Sequence, residues 1–208
     1  MKFDITLKQY ELIYKIVASV GRELSHGPGK SCQFYNVNGA FLLERVFKVK
    51  ARPIMGAAFI RVTDSGDTIS FAGEECGKFY SSPEAFHCWV ETEHYIIDFT
   101  APEYREVLSQ VSPGINIKRN MLQKEKSHNI LMPSDLVNVG DICFQPNPAL
   151  TSYLLQKMFE KPAAQDLVDA CIEWCKKSRK KISDLTIIND LGEKTIISPV
   201  NNNVIGIW

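Results

Sequence analysis

Apolar positions at helical spacing open the chain: Leu7, Tyr10, Ile13, Ile16, Val17, Val20 and Leu24 predict an amphipathic helix over residues 6–24. Thr6 and Gln9 hold capping-box positions at its start. A second helix is predicted over residues 31–47, entered through Gly27, Pro28 and Gly29, with Ser31 as N-cap and Cys32 in the first turn. Its apolar residues, among them Phe34, Val37, Ala40, Phe41, Leu43 and Val46, point in most directions around the axis, so the helix is expected to be central and buried. Gly39 lies on the face of Cys32, where a glycine costs about 1 kcal/mol unless another backbone comes close. A sheet is expected to pack there.

The pattern then changes to strands. Residues 49–63 lead into one, residues 64–67 read as a turn, and residues 68–72 return as a second. Residues 73–83 read as loop. Residues 85–91 and 95–100 form two more strands of an antiparallel meander, and period-two alternation puts His87, Trp89 and Glu91 on one face with Phe86, Cys88 and Val90 on the other. Beyond Pro102 the signals weaken: residues 104–111 suggest a short helix and residues 118–129 a polar connection. Residues 137–144 suggest a strand, residues 149–160 and 163–181 two helices, and residues 185–188 and 195–198 a closing hairpin. The whole, residues 1–208, reads as one α+β domain: a central cysteine-bearing helix packed on an antiparallel sheet, with helices at both ends.

Composition narrows the function classes. The chain has 24 basic and 24 acidic residues, so no global field recruits nucleic acid or an anionic membrane. The basic end of the helix at 163–181 is read as a solvated terminus matched to the helix dipole and not as a nucleic-acid patch. No apolar run approaches the ~18 residues of a membrane span, and no secretory signal is evident at the N-terminus. A cytoplasmic location is the expectation. Six cysteines, at 32, 76, 88, 143, 171 and 175, are then expected as thiols. Cys171 and Cys175 stand one helical turn apart and read as core residues in preference to metal ligands. No cofactor is expected.

The candidate chemistry lies in Cys32, His87 and Asp98. A thiol at a helix start meets unpaired N–H groups and the positive end of the helix dipole, which favour a thiolate and an anion beside it. An imidazole can accept and return a proton, and a carboxylate can fix its tautomer. Asp98 interrupts an apolar strand, so it needs a buried partner. His87 and Asp98 share a face only if paired positions of the 85–100 hairpin sum to 187, which requires an even loop. The sequence Glu93-His94 lacks the residues a two-residue turn with positive φ prefers, so a four-residue loop with Glu91 opposite Ile96 is predicted.

These residues resemble a known family. Gly29-Lys-Ser-Cys32, Arg52 after the helix, His87-Cys-Trp89-Val-Glu91 and Asp98-Phe-Thr100 look like the core of the transglutaminase-like branch of the papain-like cysteine superfamily. Cys32-Gln-Phe-Tyr-Asn36 is also similar to the cysteine motif of arylamine N-acetyltransferases. The resemblance covers about residues 27–102. It departs at Phe99, where transglutaminase-like proteins commonly carry proline, and before Cys32, where the acetyltransferases carry Arg-Gly-Gly. It implies a papain-like fold with Cys32 as nucleophile, His87 as base, Asp98 as orienter and the N–H groups of Cys32 and Gln33 near the oxyanion. His26 stands where papain-like proteases place a glutamine, and reads equally as an oxyanion donor or as a cap of the first helix. Trp89 is expected at the rim of the cleft. The first functional reading is a thiol hydrolase of an amide or peptide bond, acting on a peptide, amide or small acyl substrate. Acyl transfer to an amine is the second, and a non-catalytic binding module on the same fold the third.

Overall fold

The computed structural model describes residues 3–24, 31–178 and 181–208. Helix α1 (Leu7–Leu24) is closed at its start by the anticipated capping box: the Thr6 N–H donates to Gln9 Oε1 at 2.8 Å and the Gln9 N–H to Thr6 Oγ1 at 3.3 Å. Tyr10, Ile13, Tyr14, Ile16, Val17 and Val20 are fully buried on one face. Helix α2 (Ser31–Leu42) continues into a π-helical turn, Leu43–Phe47. Lys48, with φ 61°, ends it, and the Val49 N–H closes onto the Leu43 carbonyl at 3.0 Å. Ser31 is the first helical residue, so the cap read there and the entry through residues 27–29 fall at or outside the limit of the described residues. Gly39 has the crowded contact its position implies, though with a side chain: a Cβ would lie 2.3 Å from the Phe99 ring.

Strands β1 (Arg52–Arg61) and β2 (Thr68–Phe71) form the first hairpin, with Arg61 opposite Thr68. The segment read as loop at 73–83 contains a small ribbon, β3 (Gly73–Glu75) and β4 (Lys78–Tyr80). Cys76 and Gly77 turn it with φ of 50° and 74°. Two successive positive φ values are what a tight hairpin needs, and cysteine in the first place hid the signal. Next come β5 (His87–Glu91), β6 (Tyr95–Asp98) and helix α3 (Tyr104–Val111).

The polar connection read at 118–129 is corrected: it holds strand β7 (Asn120–Glu125), which pairs along β6. Its buried Gln123 makes two bonds with the Ile5 backbone, at 2.9 and 3.2 Å, so the polar residue belongs inside. Strand β8 (Ile142–Pro146) begins later than read, because Asp141 accepts the N–H groups of Val137 and Asn138 and makes residues 137–141 a turn. Helices α4 (Pro148–Phe159) and α5 (Ala163–Lys177), the ribbon β9 (Leu185–Ile188) with β10 (Lys194–Ile197), and β11 (Gly206–Ile207) complete the described chain.

The main sheet runs β11-β7-β6-β5-β1-β2, with β8 also on β1. The sheet is mixed, and the expectation of a purely antiparallel one is corrected, because β11 lies parallel to β7. The fold is therefore α+β. One sheet face, with Val90 and Ile97, packs on α1, α2 and α5, and the other, with Trp89 and Ile96, packs on α3 through Tyr104 and Leu108. Gly56 admits β8, since a Cβ there would lie 2.0 Å from the Gln145 carbonyl oxygen. No helix among the described residues is long and apolar enough to cross a membrane.

Candidate active site

The geometry begins with the register of β5 and β6. Val90 pairs with Ile97 and Glu91 with Ile96, so paired positions sum to 187. The connection closes through the Thr92 N–H to the Tyr95 carbonyl and the Tyr95 N–H to Thr92 Oγ1, both at 2.9 Å, and neither Glu93 nor His94 takes a positive φ. His87 and Asp98 consequently share a face. His87 Nε2 lies 2.8 Å from Asp98 Oδ2, and both side chains are fully buried.

The Asp98 carboxylate is surrounded by donors. Oδ1 accepts the Thr100 N–H at 2.7 Å and Asn36 Nδ2 at 3.0 Å, while Oδ2 accepts the Tyr104 hydroxyl beside His87. Burial opposes the charge, but His87 and these donors outweigh it and hold the carboxyl below its usual range. Burial likewise favours a neutral imidazole; Asp98, and after it the Cys32 sulfur, prevail and raise His87 to about 10. The ring is held on its flat side by Phe71, stacked at 4.4 Å and 19°, and from the edge by Phe144 at 6.1 Å. Phe71 arrives there because it pairs with Ala58 while His87 pairs with Gly56, two residues away on the same face of β1.

Among the described residues His87 Nδ1 has no hydrogen-bond partner of ordinary geometry, although the Cys32 sulfur acts on the ring. Nucleophile–base contacts are often loose or poorly aligned until substrate binds. With Nε2 engaged by Asp98, Nδ1 is the nitrogen left for the thiol. Cys32 lies in the first turn of α2, half-buried, in the wall of a cavity of about 620 Å³ that Tyr35, Phe71, Phe86 and Thr100 also line. Arg22, Glu103, Glu106 and Arg119 contribute to the same lining.

Asn36, one turn after Cys32, ties the cysteine's helix to both strands. Its Nδ2 lies within 3.1 Å of the Cys32 carbonyl, the Cys88 carbonyl, Asp98 Oδ1 and Thr100 Oγ1, and its Oδ1 accepts the Phe99 N–H at 2.9 Å. Asn36 and Tyr104 were missed by sequence reasoning. Asn36 and Asn38 are polar residues in a helix read as buried, and Asn36, one turn after Cys32, is the one such a signal could have singled out. Tyr104 has no such signal, because only the fold brings α3 beneath β5 and β6.

The other candidates fall differently. Gln33 turns its side chain away, donating to the Leu154 carbonyl at 3.0 Å, and so offers the site its backbone N–H alone. Trp89 is corrected: fully buried and packed on Phe144 at 4.9 Å, it is a core residue and not a rim residue. His26 lies outside the described residues. Cys88, Cys143, Cys171 and Cys175 are buried, with burial raising the Cys171 thiol to about 12, while Cys76 is exposed at the tip of the β3–β4 ribbon. Among the described residues no cluster of three or more His, Cys, Asp or Glu is placed to hold a metal.

The model of the family described as "Protein of unknown function (DUF2026)" matches residues 6–208. No curated protein matches the chain. A solved structure reported as "The crystal structure of genomics APC5867" superposes with a TM-score of 0.88 at 24% sequence identity, covering 100% of this chain and 98% of that one. At that identity the likeness carries the shared fold and nothing about chemistry.

Proposed function

The chain belongs to the DUF2026 family, and for this member we propose cysteine-nucleophile acyl chemistry, with Cys32 attacking, His87 as base and Asp98 orienting the base. One observation carries the reading: an imidazole fixed through Nε2 to a saturated carboxylate, its Nδ1 left over beside a cysteine at a helix start, in the wall of a cavity. The papain-like fold, in its transglutaminase-like form, is part of the same reading. It is supported by the order cysteine helix, histidine strand, aspartate strand.

The substrate is an amide or peptide. His87 holds the proton of the Cys32 thiol while the sulfur bonds to the acyl carbon, and the carbonyl electron pair moves onto oxygen near the N–H groups of Cys32 and Gln33. Collapse breaks the C–N bond, and His87 gives the proton to the departing amine. Water then repeats the sequence: His87 takes its proton, the hydroxyl oxygen bonds to the acyl carbon, and the C–S bond breaks, freeing the acid as the proton returns to sulfur.

p-Nitrophenyl acetate tests this without knowledge of the substrate. The wild type should release about one rapid equivalent of nitrophenolate and carry an acetyl group on the Cys32 peptide. Cys32→Ala should show no burst, and His87→Ala a burst slowed about 10²- to 10⁴-fold. An equal burst in Cys32→Ala, or acetyl confined to Cys76, would sink the proposal.

A further inference from the structure

Four charges line the cavity beside Cys32, and they are spent on one another. Arg22 Nη2 donates to both Glu103 oxygens, at 2.7 and 2.8 Å. Arg119 donates through both terminal nitrogens to the two oxygens of Glu106, one bond being 2.7 Å long. Glu103 also accepts the Tyr14 hydroxyl at 2.5 Å, and Arg119 donates again to the Pro102 carbonyl at 2.9 Å. The inner members are well covered: the Glu103 side chain is 13% exposed and that of Arg119 17%. Separating such a pair strands a charge in a poorly solvated place, which costs more than the pair itself is worth.

An anionic acyl group entering the cavity would therefore meet two carboxylates and no uncommitted cation among the described lining. A cationic one would have to compete with the arginines. What remains for a ligand is neutral: the carboxamide of Gln110, that of Asn202 beyond the bond its Nδ2 gives the Tyr14 hydroxyl at 3.4 Å, and the apolar surface of Phe71, Phe86 and Val107. Pockets of this size hold small-molecule ligands, with a few polar groups fixing orientation.

We propose that this cavity is the subsite for an uncharged acyl group bearing amides, a peptide-like donor, and that the Arg22–Glu103 and Arg119–Glu106 pairs exclude anionic acyl groups. The inference rests on Cys32 being the nucleophile that the bound group acylates. It assigns the walls drawn from α1, α3 and the C-terminal segment to choosing the donor, while the residues of α2, β5 and β6 perform the step.

Two arms separate failure of the subsite from failure of the chemistry. In the first, the Cys32→Ala protein is titrated by NMR with N-acetylglycine methylamide and with monomethyl glutarate. The amide should bind at least ten-fold tighter, and Gln110→Arg, a change at an exposed position that adds an unpaired cation, should narrow the gap several-fold. Equal or tighter binding of the anion, or binding of neither, overturns the subsite. In the second arm the p-nitrophenyl esters of N-acetylglycine and of glutaric acid, sharing one leaving group, acylate the wild type, the first at least ten-fold faster. Acylation without preference overturns the subsite. Acylation by neither ester, with the binding preference intact, overturns the role of Cys32 and with it the acyl assignment, while the preference of the cavity for an uncharged amide survives. Glu106→Gln, with its melting temperature checked, should raise the rate of the glutaryl ester because Arg119 loses its carboxylate.

Discussion

The two ends of the β5–β6 hairpin carry the same kinds of groups in opposite settings. At the turn end Glu91 meets Arg52 at 3.1 Å and Lys126 at 3.3 Å; its own side chain is 11% exposed, but those of Arg52 and Lys126 are 71% and 35% exposed. At the other end Asp98 meets His87 at 2.8 Å with both side chains fully buried. Water reaches the two cations of the first cluster, so its pairs are screened from that side. The second has no water to fall back on. Every lone pair of Asp98 must be answered by the protein, and answering them fixes where the imidazole points. Burial of both partners, more than the identity of the residues, separates an ion pair that water can relax from one that fixes the direction of a ring.

The sharpest way to break the contrast is Asp98→Ala, which leaves His87, Tyr104, Asn36 and the Thr100 N–H without their common acceptor. A loss of about 3–5 kcal/mol in stability is expected from removing one partner of a buried pair. Asp98→Asn keeps the shape and should retain more of the fold, yet lower Cys32 acylation by about 10⁴-fold, because an amide no longer enforces the tautomer. Urea unfolding and the p-nitrophenyl acetate burst measure the two. An Asp98→Asn protein that acylates at the wild-type rate would remove the orienting role.

The pair should also write itself into the pH dependence of stability. His87 is raised from an ordinary 6.5 to about 10 in the folded chain. Its contribution is therefore complete below about pH 6.5 and is lost as pH climbs through 10. Asp98 is held below its usual range, so its contribution is present above about pH 4 and lost as pH falls. Relative to Asp98→Asn, the wild type should lose up to about 1.4 kcal/mol per pH unit between pH 7 and 10. Urea titrations at several pH values with parallel slopes for both proteins would show that His87 is not held charged.

Tyr104→Phe is a finer cut. The phenol donates to the Asp98 oxygen that His87 uses and lies 3.3 Å from Nε2, so it shares the carboxylate with the imidazole. Losing one hydrogen bond to a charged group costs about 1.5–3 kcal/mol. If Tyr104 positions the base, the acid limb of Cys32 alkylation by iodoacetamide should also move, which lost packing would not produce. An unmoved limb with lowered stability would leave it a purely structural residue.

Much of this site is legible in the sequence, for a physical reason. His87 and Asp98 lie 11 residues apart, and the register that joins them follows from local turn chemistry at residues 92–95, while Cys32 is marked locally by its place at a helix start. The Thr6–Gln9 box is equally local. Strand β7 was not legible, because Gln123 and Lys124 read as surface residues until Ile5 and β6 supply their partners from far away. Tyr104 and the charged wall of the cavity share that limit. They reach the site through α3 and the long return of the chain, which no periodicity records.

The smallest effect is expected at the other end of the hairpin, and it is the control that gives the larger ones their meaning. Glu91 and His87 lie on one strand and one face, four residues apart, a separation of about 13 Å at the usual strand rise. Glu91→Gln removes the charge that Arg52 and Lys126 share while keeping the shape. The cost should stay under about 1 kcal/mol, shrink with added salt, and leave the alkylation profile of Cys32 unmoved. Combined with Asp98→Asn the two changes should add within about 0.5 kcal/mol, as distant sites without shared partners do. A double mutant that departs from additivity, or a Glu91→Gln protein whose Cys32 reacts with a shifted pH limb, would mean that the hairpin transmits charge along its length. The two ends would then have to be treated as one electrostatic unit.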